Sequence, residues 1–184
     1  MEAIIIYILK ITWYSLPLGL ANMMPVIFNR WFGFLAKPVD FSAKIKNQRL
    51  FGAHKTWRGI LAALIGGALI FIIQKHAFVN SDFFRSISII NYSEKSIWMG
   101  TIMALGAIIG DLVKSFFKRR LNIKSGHSWI PFDQIDYTLG GMIFSFPFFI
   151  PPADVFVSLV ALGFIFHIGI NIIGKFIGLR RKAF

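Results

Sequence analysis

Five apolar runs, at 3–28, 57–73, 97–117, 137–150 and 155–173, constrain this chain more than any other feature, because each carries too few charges to lie on the surface of a soluble domain. A hydrophobic fraction of 56% against a charged fraction of 15% agrees. The expected fold is an all-α integral membrane bundle of about five transmembrane helices, forming a single domain over 1–184. No basic region precedes the first run and no small-residue cleavage site follows it, so it is expected to stay as the first helix. The second and fourth runs, about 17 and 14 residues where a span needs roughly 20, are expected to borrow their first turns from the polar motifs before them.

The 20 Lys+Arg against 8 Asp+Glu lie between the apolar runs, where the positive-inside rule accounts for them better than nucleic-acid binding does. Arg30, Lys37, Lys44, Lys46, Arg49, Lys55 and Arg58 separate the first two runs. Lys118, Arg119, Arg120 and Lys124 separate the third and fourth, and the tail holds Lys175, Arg180, Arg181 and Lys182. The 75–96 connection offsets Lys75, Arg85 and Lys95 with Asp82 and Glu94, and Pro151-Pro152-Ala153 has no base. The expected topology puts the N-terminus outside, the C-terminus in the cytosol and a polar cavity open to the cytosolic side of the cell membrane. With no cysteine, a metal would need oxygen or imidazole ligands. Gly66-Gly67 and Gly140-Gly141 would let helices approach closely, as packing devices.

Three segments carry candidate chemistry. At the end of the third run, Asp111, Lys114, Ser115 and Lys118 fall at i, i+3, i+4 and i+7, on one helical face. Asp111 would lie roughly 21 Å along its helix, inside a hydrocarbon core of about 30 Å, where an ionisable group is a functional candidate. Within Ser125–Asp136, Pro131 can open a helix and Asp133 and Asp136 follow on one face. Carboxylates so spaced, with Asp111 from another helix, give hard oxygen ligands suited to Mg²⁺, although Asp-x-x-Asp alone is a weak signal. The Gly52–Gly59 segment lacks the glycine before Lys55 that a P-loop needs, yet Lys55, Thr56 and Arg58 at a helix start would form an anion site. His167 and Asn171, four apart in the last run, suit an interhelical hydrogen bond. An ion or phosphate transporter is a competing class, against which stand the absence of an inverted repeat and the one-sided charge. A lipid-binding scaffold would explain the bases but not the three aspartates.

Together these residues resemble the membrane phosphatidate cytidylyltransferase superfamily. Its signature, a serine and Lys-Arg pair followed after a spacer by Asp-x-x-Asp, reads here as Ser115-Phe116-Phe117-Lys118-Arg119 and Asp133-Gln134-Ile135-Asp136, with Lys55-Thr56-Trp57-Arg58-Gly59 upstream. Asn22-Met23-Met24-Pro25, Lys37-Pro38-Val39-Asp40-Phe41, Arg58 and Gln134 are closer to the CDP-archaeol synthase family than to the diacylglycerol branch. The usual acidic residue of the Gly52–Thr56 segment is replaced by Ala53-His54. The resemblance implies that CTP reacts with an ether-lipid phosphate, unsaturated archaetidic acid, to give CDP-archaeol and pyrophosphate; the alternative substrate is a diacyl phosphatidic acid. It also implies Mg²⁺ on Asp111, Asp133 and Asp136. Lys114, Lys118 and Arg119 would then meet phosphates, with Asn22, Lys55, Thr56, Arg58 and Ser115 placed at CTP or the lipid phosphate.

Overall fold

The structure, a computed structural model, describes residues 1–28, 32–124 and 127–176, without the side chains of 170, 171 and 173–176. Arg30, Ser125, Gly126, the side chains of Asn171 and Lys175, and the bases Arg180, Arg181 and Lys182 thus lie outside the described residues.

Helix α1 spans Glu2–Ile27, α2 Trp57–Asn80, α3 Asp82–Ser86, α4 Trp98–Arg120, α5 Phe132–Ser145 and α6 Ala153–Phe176. Helix α4 is central, packing on α1, α2 and α5, while α6 closes the bundle against α1 and α5. The arrangement is that of a multi-pass membrane bundle. Helices α1, α2 and α4 are long and apolar enough to cross a bilayer, and α6 contributes the shorter apolar stretch Ala153–Gly169. Large apolar side chains such as Ile4, Leu69 and Ile165 point outward, more than half exposed, whereas Tyr14, Leu18, Phe71, Met99, Met103, Met142 and Leu159 fill the interior. Exposed aliphatic surface on this scale suits hydrocarbon rather than water.

Small residues let the central helices touch. A Cβ on Gly67 would lie 2.7 Å from the Gly100 carbonyl oxygen, and one on Gly140 would run into the Gly106 carbonyl. Gly110 likewise packs against the Asp136 backbone. The expected glycine approach is therefore present, and on α4 it is answered by Gly100, Gly106 and Gly110. Close backbone contact between α4 and α5 is what brings Asp111 beside Asp136.

Two boundaries differ from the sequence expectation. Helix α2 does not borrow turns from the polar segment before it: it starts at Trp57, capped by the Thr56 hydroxyl, which accepts from the Gly59 N–H at 3.2 Å. It extends instead at its far end, through Gln74 and Lys75 to Asn80. Gln74 is buried and donates to the Trp13 carbonyl; Lys75 Nζ donates to the Ser93 and Lys95 carbonyls at 2.8 Å each. Arg85, on the unforeseen α3, donates to the Val79 carbonyl at 2.8 Å and so caps α2. Helix α5 does borrow its first turn, from Phe132, but stops at Ser145 rather than running to Ile150, because Pro147 has no N–H to donate to the Ile143 carbonyl and so cannot continue the helical ladder. Its 14 residues reach only about 21 Å.

Among the described residues between α1 and α2, those at 32–56 are held without an α-helix, with one 3₁₀ turn at Gly33–Leu35. They include a small hairpin, β1 (Lys44–Ile45) against β2 (Gln48–Arg49), turned by Lys46 and Asn47 at φ 50° and 61°. This hairpin was not foreseen; with an isolated antiparallel bridge between Pro38 and Thr56 it makes up the β structure among the described residues. It lies over the end of α4: Arg120 donates to the Ile45 carbonyl at 2.8 Å, and Gln48 donates to Asn122.

Candidate active site

Chain direction brings the end of α1, the starts of α2 and α5 and the end of α4 to one end of the bundle, and the candidate residues meet there. Lys114, one turn beyond Asp111 on α4, places its ammonium 3.1 Å from Asp111 Oδ1, 2.8 Å from Asp133 Oδ1 and 3.0 Å from Asp136 Oδ2. Lys118, one turn further, reaches both oxygens of Asp133 at 3.0 and 2.7 Å. From the loop before α2, Lys55 pairs with Asp111. Three lysines and three aspartates thus form one network spanning the loop, α4 and α5. Lys118 and Asp136 are buried, and the other four partly so. Charges this desolvated are tolerated only because each faces an opposite one.

The aspartates are held differently. Asp133 also accepts from the Trp129 N–H at 2.5 Å, which fixes the turn into α5. Asp136 Oδ1 accepts from the Tyr137 N–H at 2.7 Å. Its Oδ2 is buried and takes no hydrogen bond, so the Lys114 ammonium beside it is an ionic neighbour without donor alignment.

Among the described residues no three carboxylate or imidazole groups stand together as a metal cage. The Lys114 ammonium occupies the point toward which the three aspartates turn. The donor set nevertheless fits a hard divalent cation: it is all oxygen, it comes from two helices, and one buried oxygen lacks a hydrogen-bond donor.

Two clefts meet at this network and a third adjoins them. The first, of about 60 Å³, lies between α1, α2 and α4, with Asn22, Pro25, Gly59 and Ile108 in its walls and Lys55, Thr56 and Asp111 at its polar end. The second, of about 160 Å³, is strongly basic, with Lys55, Lys114, Lys118 and Arg119 around the buried Ser115. The third lies outward, beneath the hairpin, and includes Arg49, Asn122 and Lys124. His54 and Lys55 belong to the first two; Gly52 and Arg119 belong to the last two. An apolar crevice among helices therefore continues into a cationic groove. Arg58, in the first turn of α2, is not part of these walls.

A family model described as CarS-like, CDP-archaeol synthase, matches residues 4–184. The chain belongs to the CDP-archaeol synthase family. A CDP-archaeol synthase of Pyrococcus furiosus is 35% identical over 168 residues, 90% of this chain and 92% of the relative. One of Methanocaldococcus jannaschii is 30% identical over 169 residues, 91% of this chain and 92% of the relative. The fold is similar to a solved structure described as an intramembrane enzyme for archaeal membrane lipids biosynthesis, with TM-score 0.69 and 28% identity, covering 87% of this chain and 91% of that one. The CDP-archaeol synthase resemblance read from the sequence motifs is thereby borne out.

Asp40 is the buried group that the motif reading left without a role. Burial pushes its carboxyl up, but the Arg49 guanidinium and the N–H groups of Ser42, Gly52 and Phe51 outweigh that and hold it down at about 2. The Asp40-Phe41-Ser42 step, where the Ser42 N–H bonds back to the aspartate at 3.0 Å, is the turn signal that could have found it.

Proposed function

We propose that the chain is a CTP-dependent cytidylyltransferase that converts unsaturated archaetidic acid to CDP-archaeol with release of pyrophosphate. The observation that carries this reading, beside family membership, is the continuity of an apolar crevice with a cationic groove through His54 and Lys55, which line both. Such a site can take one substrate from the bilayer and the other from water. We place α1, α2, α4, α5 and α6 across the membrane with the N-terminus outside and the charged end in the cytosol, which follows the bias of Lys and Arg.

The lipid phosphate oxygen attacks the α-phosphorus of CTP in line. A new P–O bond forms there, the bond from the α-phosphorus to its bridging oxygen breaks, and the electron pair leaves on pyrophosphate. No general base is required, because the lipid phosphate is already ionised at neutral pH. The barrier is repulsion between two anions, so catalysis is mainly positioning and charge stabilisation. In this reading Lys118 and Arg119 line the groove for the triphosphate, and Lys55 and Thr56 stand where lipid phosphate and α-phosphate would meet. Asn22 would hydrogen-bond substrate at the crevice wall, Ser115 would line the groove, and Arg58 would add field from the start of α2. Lys114, held among carboxylates in the free protein, is close enough to turn to a phosphate oxygen. Asp111, Asp133 and Asp136 would hold Mg²⁺. When bound there, the ion supplies Lewis-acid neutralisation of phosphate charge.

Purified protein given labelled CTP, MgCl₂ and either an ether-linked or a diacyl glycerol phosphate tests the reading. A labelled CDP-lipid should form faster with the ether substrate. Preference for the diacyl lipid would make the chain a CDP-diacylglycerol synthase, and no lipid product from either would sink the enzymatic reading.

A further inference from the structure

Lys55 reaches Asp111 from a loop that has little to hold it in place. The hairpin beside it has two residues per strand, far short of what is stable alone. What organises the segment is Asp40. Its side chain is fully buried, and both carboxylate oxygens are used. Oδ1 accepts from Arg49 Nη2 at 2.7 Å and from the Ser42 N–H at 3.0 Å. Oδ2 accepts from the N–H groups of Phe51 and Gly52 at 3.3 Å each.

Gly52 is where the chain bends toward the site. Its φ of 112° is open to glycine and strained for any other residue, and its carbonyl accepts from the Lys55 N–H at 3.2 Å. On the other side, the Val39 N–H, next to Asp40, donates to the Lys55 carbonyl at 2.8 Å, and the Trp57 N–H donates to the Lys37 carbonyl at 3.1 Å. The backbone of Lys55 is therefore gripped from two directions, both starting at Asp40. Asp40 itself lines none of the three clefts.

We propose that Asp40 is a positioning residue for the transfer reaction, which sets Lys55 against Asp111 and the reacting phosphates by tying Phe51-Gly52 and Arg49 to one buried carboxylate. This rests on the reading of Lys55 as a phosphate ligand. The chemistry needs an anion with two acceptor oxygens. Asparagine at 40 keeps one acceptor, so it can hold either the Arg49–Ser42 side or the Phe51–Gly52 side, but not both.

The test is a double-mutant cycle on kcat/KM for CTP in the purified full chain, with Asp40→Asn, Lys55→Ala and the two combined, each checked as monodisperse in detergent. Asp40→Asn should lower kcat/KM by about tenfold or more, and the same change made on Lys55→Ala should lower it by less than about twofold, because the group being positioned is already gone. Equal factors in both backgrounds, or wild-type kinetics for Asp40→Asn, would overturn the proposal. Wild-type kinetics for Lys55→Ala would instead remove Lys55 from the site, a separate failure. Should Asp40→Asn not fold, Arg49→Met serves in the same cycle: it removes the one side-chain donor to Oδ1 and keeps the three backbone bonds, and its effect should likewise vanish in the Lys55→Ala background.

Discussion

Asp40 in the connecting loop and Asp136 in the seam between α4 and α5 are both buried carboxylates, yet they are satisfied in opposite ways. Asp40 is surrounded by a guanidinium and three backbone N–H groups, donors that the fold itself fixes. Asp136 has one backbone donor, one oxygen with none, and the end of a flexible lysine shared with Asp111 and Asp133. A carboxylate saturated by backbone serves architecture, whereas one balanced by a movable cation can exchange it for another cation or release it to a substrate. The loop is therefore held by its own backbone, whereas the seam is balanced by one shared lysine.

The largest expected effect breaks the seam. Asp136→Asn keeps the size and the bond from the Tyr137 N–H but removes the charge. Turnover should fall by at least about 100-fold while the protein still elutes as wild type, since what is lost is charge stabilisation during transfer. Labelled CTP and Mg²⁺ with the ether lipid phosphate give the rate directly. Turnover within a few-fold of wild type would make Asp136 a structural neighbour of Lys114 and place the seam in the same class as Asp40.

How far this contrast was legible in the sequence depended on periodicity. Asp111, Lys114 and Lys118 share a helical face, and Asp133 and Asp136 share another, so their convergence could be anticipated once both helices were drawn to one end of the bundle. That a lysine would sit at the centre of the carboxylates could not, because spacing within one helix says nothing of which side chain fills the gap between two. The glycines at 106 and 110, which set the α4–α5 distance, look in sequence like any small residues of a membrane helix. The far end of α2 was missed since Gln74 and Lys75 read as polar, and their partners, the carbonyls of Trp13, Ser93 and Lys95, are distant in the chain. The hairpin and Asp40 were missed for the same reason: a loop held by one carboxylate has no period.

A smaller effect sharpens the difference in what balances the seam. Lys114→Met leaves three carboxylates close together without their shared cation, and removing one partner of a buried ionic cluster costs about 3–5 kcal/mol. Thermal unfolding in detergent should show a marked loss in the absence of divalent ions. Added Mg²⁺ should restore more stability to this variant than to wild type, because the carboxylates no longer have an internal counter-ion. A stability loss that Mg²⁺ leaves untouched would mean that the aspartates do not present a cation site, and the seam would then be a fixed ion-pair cluster.

The smallest effect concerns the loop and is read by acid. Asp40 is held at about 2, below the ordinary carboxyl value of 3.8, so its stabilisation is complete above about pH 4 and is lost as pH falls through 2. The contribution is on the order of 2 kcal/mol to local order, because the unfolded loop takes up its proton first. Pepsin works in this range. Cleavage within 37–56 should be slow at pH 4 and rise steeply toward pH 2 in the wild type. In Asp40→Asn it should be fast already at pH 4 and rise less steeply, since the titrating group is absent. Parallel pH profiles in the two proteins would show that another carboxylate governs the loop, and the backbone-saturated aspartate would no longer stand apart from those of the seam.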